Sequence, residues 1–176
     1  AQAEHGADSQ AVLVATSQAF VDRVNQELTL QIDLLPRKDI ARKALANSYA
    51  IIADDMAQGM QFSNAYAPEH LIIEADNVEP ITRLIRNAGS VFLGHLTPES
   101  AGDYASGTNH TLPTSSYARS YSGVSVDFFV KKITFQQINE EGLAHIGTTV
   151  EILADLEGLA AHKNAVSIRK KTLGIK

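Results

Sequence analysis

The chain has 176 residues, no cysteine and a formal net charge of -5. That length holds one medium domain, or one domain with a small appendage, and buries a core without disulfide staples. The acidic balance, with no Lys/Arg cluster interleaved with aromatics, argues against nucleic acid or an anionic membrane surface as partner. The lack of cysteine removes thiolate nucleophiles and Cys-ligated zinc and suits a reducing cytoplasm.

The opening Ala1-Gln2-Ala3-Glu4-His5 is polar, has no initiating Met and carries no basic-then-apolar signal pattern. It reads as the start of a fragment of a longer protein. No apolar stretch approaches the length of a bilayer span. Residues 11–16 form a short apolar, β-branched run that predicts a buried strand. Ser17 then caps a helix whose apolar residues Phe20, Val21, Val24, Leu28 and Ile32 recur at helical spacing. Pro36 suits the first turn of a second helix, from Asp39 to Ala46. Tyr49–Ala53 is a second strand, followed by a short helix from Asp54 to about Ser63.

His70–Glu74 is a third strand, and a helix carrying Ile81, Leu84 and Ile85 comes next. Ser90–Leu93 is a fourth strand. Strands alternating with helices predict an α/β fold with a largely parallel sheet. From Thr97 to Ser125 the chain turns rich in Gly, Ser, Thr and Pro, a length of loop that a compact protein keeps for a function. Val126–Phe135 is strand-like. The remainder is helical, with Leu143, Ile146, Val150, Leu153, Leu156 and Leu159 on one face. The expected division is residues 1–125, an α/β domain with the catalytic loops, and residues 126–176, a small, mostly helical C-terminal unit.

Several polar groups invite chemistry, each with an ordinary alternative. Glu69 and His70 are adjacent and pair a carboxylate with an imidazole, the common acid/base groups near neutral pH; otherwise they are a loop entering a strand. Gln2 and His5 share a face if they lie on a helical turn, a chelating arrangement, or else are surface polar residues. Asp103 sits in the Gly-rich run from Glu99 to His110, where a loop without Cβ atoms can approach a ligand; a P-loop arrangement is missing. His162 and Glu157 are otherwise helix-end or solvated helix residues. His95 and His145 read as structural or surface residues. Oxygen and nitrogen donors without thiolate are compatible with a zinc that keeps an open position, and the spacing alone goes no further.

Taken together, these segments resemble histidinol dehydrogenase. The stretches that carry the resemblance are Gln2-Ala3-Glu4-His5-Gly6 with Asp8-Ser9-Gln10, Pro68-Glu69-His70-Leu71, Ala88 to Gly94, Pro98 to His110, Leu112-Pro113-Thr114 and Ala161-His162-Lys163-Asn164-Ala165-Val166. They run from Ala1 to Arg169 in family order. The resemblance implies an incomplete Rossmann-like three-layer domain. It implies oxidation of L-histidinol to L-histidine through L-histidinaldehyde, with two hydride transfers to NAD, as the last step of histidine biosynthesis. Gln2, His5, Asp103 and His162 match the family's zinc ligands, which also face substrate. Glu69 and His70 match the acid/base pair, His70 also touching substrate. Glu157 matches a substrate-binding carboxylate, and Tyr104 and His110 lie in the matching loop. The family's homodimer, whose C-terminal tail crosses to the partner's active site, would make Glu157 and His162 act in trans.

Two departures stand out. Family members run to more than twice this length, so the N-terminal part with most NAD contacts is expected to be missing, and no Gly-x-Gly-x-x-Gly fingerprint occurs. His95 stands where the family often has an acidic residue. The alternative is a non-catalytic fragment that dimerises and binds zinc; a zinc hydrolase reusing Glu69 and His70 is a third reading.

Overall fold

A computed structural model describes residues 1–175 and divides them into two compact units, Ala1–Phe129 and Val130–Lys176, the last residue lying outside the description. The first unit has four short strands, β1 (Val12–Ala15), β2 (Tyr49–Ile52), β3 (His70–Ile73) and β4 (Ser90–Leu93). The expected largely parallel sheet takes the form of two separate parallel ladders, β1 with β2 and β3 with β4. Each ladder closes a β–helix–β unit, as parallel neighbours require a crossover. An apolar run identifies a strand but not its neighbour, and Tyr49, Ile52 and Ile72 keep exposed apolar side chains on these ladders.

Helix α1 (Gln18–Ile32) starts where Ser17 Oγ accepts from Phe20 N at 3.3 Å, an N-cap that satisfies an otherwise orphaned donor. Helix α2 (Lys38–Ala46) follows. Helix α3 (Met56–Tyr66) is capped by Asp55, whose carboxylate accepts from Gln58 N at 2.8 Å, and runs three residues past the expected Ser63. It ends at Ala67, in the left-handed region at φ 54.

The helix expected to carry Ile81, Leu84 and Ile85 is only one turn long, α4 (Glu79–Thr82). Asn64 of α3 explains why. Its Oδ1 accepts from Arg86 N at 2.7 Å and Asn87 N at 3.2 Å, and its Nδ2 donates to Leu84 O at 2.8 Å. These side-chain bonds take the backbone groups that a longer helix would use. Ile81 still reaches the core with Met60 and Ile73, and Ile85 packs against that cluster.

The predicted loop from Thr97 contains a helix, α5 (Glu99–Tyr104), preceded by Pro98 in extended conformation. The rest of that loop is pinned to α3: Ser116 Oγ donates to Tyr66 O at 2.7 Å, and the Arg119 guanidinium donates to Ala65 O. Both bonds satisfy carbonyls that the C-terminus of a helix leaves open. The strand expected over Val126–Phe135 does not form. Val126–Phe129 is a 3-10 turn, and none of these residues joins a ladder. Phe129 and Phe135 are 80% and 91% exposed, so the apolar, strand-like run there lacks the partner strand that pairing needs.

The second unit is a helical hairpin, α6 (Glu140–Leu156) and α7 (Ala160–Leu173). Gly158 turns the chain at φ 71, with Leu159 N donating to Ala154 O and Gly158 N to Asp155 O, the Schellman pattern for which glycine is the usual residue. Lys170 is buried between the helices and donates to Glu151 Oε2 at 2.8 Å and Thr148 Oγ1 at 3.0 Å. Gly147 leaves room for its stem, since a Cβ there would lie 2.9 Å from Lys170 Cδ. The Lys170 bond, then the Ser167 hydroxyl, hold the Glu151 carboxyl below its usual value. A depressed carboxylate contributes stability above its unfolded pKa of about 4.3 and loses it as pH falls through the folded value. Amide exchange in α6 and α7 should therefore speed up more steeply below about pH 4 in the wild type than in Glu151→Gln. Equal acid sensitivity would remove this pair from the hairpin's support.

Among the described residues no helix is long and apolar enough to cross a membrane.

Candidate active site

The first unit gathers polar side chains around His70, the first residue of β3. The preceding turn, Ala67-Pro68-Glu69, is held against the entry to β4: Gly89 N donates to Pro68 O and Ser90 N to Glu69 O, each at 2.9 Å. Glu69 is thus fixed by its backbone one residue ahead of the ladder, and His70 pairs in register with Ser90. The His70 ring stacks on Phe92 with centroids 5.9 Å apart.

Gln2–Glu4 form a 3-10 turn that His5 ends. In that geometry residues three apart share a face, in keeping with the expectation for Gln2 and His5. Gln2 Nε2 lies 2.7 Å from His70 Nδ1. His70 Nε2 lies 3.5 Å from the same Gln2 atom, 3.7 Å from Glu99 Oε1 and 4.0 Å from Asp103 Oδ1. Ligand atoms of His70, Glu99 and Asp103 all fall within 4.8 Å of one another. His5 is exposed, yet near enough for its charge to act on Glu99.

Asp103 is on α5 and not in a loop, which corrects the sequence expectation. The spacing explains what that expectation missed: Glu99 and Asp103 are four apart, so one helix face presents both carboxylates. Pro98 followed by an acidic residue is an N-terminal signal, and it would have pointed to Glu99 as a site residue. Close approach of α5 to β4 depends on Gly102, where a Cβ would lie 2.7 Å from Phe92 Cε1.

Glu99 is only 6% exposed. Burial raises the pKa of its carboxyl, a hydrogen bond with Asp103 and the Asp103 charge raise it further, and His70 and His5 pull it down. Two carboxylates in a dry site repel, so the pair favours one shared proton or a nearby cation. Glu99 Oε1 is buried without a hydrogen-bond partner, an arrangement that costs free energy unless an ion or a further donor meets it.

Tyr104, the last residue of α5, and His110, in the segment after it, are exposed. Glu157 ends α6 and His162 lies in the first turn of α7, both exposed and both in the second unit. His95, expected to be a structural or surface residue, is exposed: Nδ1 is 2.6 Å from Glu74 Oε2 and Nε2 is 3.7 Å from Asp76 Oδ1. This exposed surface pair gains little from its charges.

The model of the histidinol dehydrogenase family matches residues 1–170. The chain belongs to the histidinol dehydrogenase family. It is 56% identical over 172 residues to histidinol dehydrogenase of Bacteroides thetaiotaomicron, covering 98% of the chain and 40% of that relative. It is 52% identical to the chloroplastic histidinol dehydrogenase of Arabidopsis thaliana, covering 99% of the chain and 38% of the relative. The crystal structure of histidinol dehydrogenase from Elizabethkingia anophelis superposes with a TM-score of 0.91 at 53% identity, over 98% of the chain and 40% of that structure. The chain therefore spans about 40% of the length of the histidinol dehydrogenases it matches.

Proposed function

We propose that the protein carrying this chain oxidises L-histidinol to L-histidine through L-histidinaldehyde, the last step of histidine biosynthesis, with NAD as the hydride acceptor and a bound zinc. The observation that carries the reading is the convergence of Gln2, Glu99 and Asp103 on His70 in a chain of this family. A buried carboxylate oxygen without a partner beside an imidazole and a second carboxylate suits a divalent cation. The donor set, without thiolate, fits zinc with an open coordination position. Gln2, His5 and Asp103 would hold it together with His162, which we assign to a second copy of the chain along with Glu157 as a substrate carboxylate. When bound, zinc fixes the substrate's imidazole and amino group and lends positive charge to the site.

The chain's own residues then divide the proton work. His70 takes the alcohol proton in the first oxidation, and the Asp103 carboxylate, 4.0 Å from its Nε2, stabilises the resulting imidazolium. Glu69 takes a proton from the water that adds to the aldehyde, giving the hydrate whose oxidation yields the acid. The β1–α1 turn, Thr16-Ser17, has no glycine of the kind a dinucleotide fingerprint places under a pyrophosphate. Most NAD contacts are assigned to other parts of the enzyme. A cytoplasmic location fits the bacterial relatives, while the Arabidopsis relative is chloroplastic by name.

Zinc-dependent formation of NADH from histidinol by the full-length protein tests the reading, and no turnover with zinc saturating would overturn it. Asp103→Asn should weaken zinc binding by at least about ten-fold in a chelator competition. An unchanged affinity would remove Asp103 from the ligand set.

A further inference from the structure

We propose that Glu99 is a positioning residue that holds the His70 ring and the Asp103 carboxylate in one fixed arrangement, and so couples the acid/base group to the metal site. The proposal rests on the histidinol dehydrogenase reading given above. It starts from geometry. Glu99 stands one helical turn before Asp103 on α5, and a carboxylate oxygen of each lies within 4.8 Å of the other. Its other contact is across to β3, where Oε1 faces His70 Nε2 at 3.7 Å. The side chain is 6% exposed, against 8% for His70 and 16% for Asp103. Glu99 is thus the most enclosed of the three.

The surroundings make the arrangement stiff. Phe92 on β4 stacks on His70, and Gly102 lets α5 close on the same Phe92 ring. Thr108 Oγ1 donates to Gly102 O at 3.0 Å and ties the following loop to that face. Packed against this face, the Glu99 carboxyl helps set where both neighbours point. Carboxylates that bind metals are themselves oriented by outer hydrogen bonds, and losing such a bond typically weakens metal binding or activity by about 10- to 100-fold.

The test compares Glu99→Leu, which keeps bulk and removes polarity, with Glu99→Gln, which keeps hydrogen bonding, in the full-length protein. Zinc affinity is read by chelator competition, kcat and KM with histidinol, and Tm by thermal melting. The expected result is zinc affinity and kcat both about 10- to 100-fold lower in E99L, a smaller change in KM, and recovery of most of both losses in E99Q. If E99L leaves zinc affinity and kcat unchanged, or lowers Tm alone, the residue is only structural and the proposal is overturned. If E99Q falls as far as E99L, charge and not hydrogen-bonded orientation is what matters, and the positioning role is again overturned. Should E99L fail to fold, Glu99→Ala takes its place in the same comparison. Asp103→Asn separates the two levels: zinc lost in D103N but unchanged in both Glu99 variants sinks this inference alone, whereas zinc unchanged in D103N sinks the metal reading beneath it.

Discussion

Replacing His70 with Asn in the full-length protein should lower kcat for histidinol oxidation by about 10²- to 10⁴-fold, the usual worth of a general base, with zinc still bound. The ring lies 2.7 Å from Gln2 and 3.7 and 4.0 Å from Glu99 and Asp103, and an asparagine fills part of that space without accepting a proton near neutral pH. Glu69→Gln should spare the first oxidation and slow the second, because only the second needs an activated water. Wild-type turnover in both variants would end the acid/base assignment. The same variant tests whether two copies share a site. If His162 comes from a second copy, mixing H70N chains with His162→Ala chains creates dimers with one intact site of two. With random exchange half the dimers are mixed, so activity should recover to about a quarter of wild type. A mixture as inactive as its components would place both residues in one chain's site or remove His162 from it.

The strands and long helices were legible because each rests on a local pattern. The run Val12–Ala15, the Ser17 cap and the helical spacing from Phe20 to Ile32 say the same thing at every level. What was not legible depends on distant partners. Helix α4 is cut to one turn by Asn64, a residue more than a dozen positions earlier that takes its backbone groups. Val126–Phe135 has the β-branched and aromatic content of a strand but no ladder. The site divides in the same way. Glu69, His70, Gln2, His5 and Asp103 were marked by chemistry and by family resemblance. Glu99 was passed over because the Gly-rich segment looked like loop, and a carboxylate gains meaning there only once Asp103 is seen four residues along the same helix. The juxtaposition of α5 with β3 is a tertiary fact with no sequence signal beyond Gly102, whose role appears only when Phe92 is found against it.

Gly89→Ala should lower both stability and turnover, although alanine substitutions at unstrained glycines ordinarily help. Gly89 is not among the residues with positive φ, so shrinking the unfolded ensemble alone would stabilise by about 0.4–1 kcal/mol. Space opposes it. A Cβ at position 89 would lie 2.6 Å from Glu69 O, 3.3 Å from Glu69 C and 3.2 Å from Leu112 Cβ. The closest of these is backbone, which cannot swing aside as a side-chain end can. That carbonyl also accepts from Ser90 N, beside the Gly89 N–H bond to Pro68 O, so the added methyl must part the two chains where they begin to pair. Overpacking of this kind costs about 1–3 kcal/mol, which exceeds the entropic gain across most of that range and leaves a net loss of about 1–2 kcal/mol. The kinetic effect should be the larger, because the displaced atoms belong to Glu69 and the peptide leading into His70. A shift of about 1 Å in a catalytic group can cost on the order of 10²-fold in rate, so kcat should fall further than a small drop in Tm accounts for, with zinc affinity, set from α5 and the N-terminal turn, changed less. Thermal melting and steady-state kinetics on G89A decide it: a Tm at or above wild type with unchanged kcat would mean that the Pro68–Glu69 backbone is free to move, and that the ladder does not hold the acid/base pair in place.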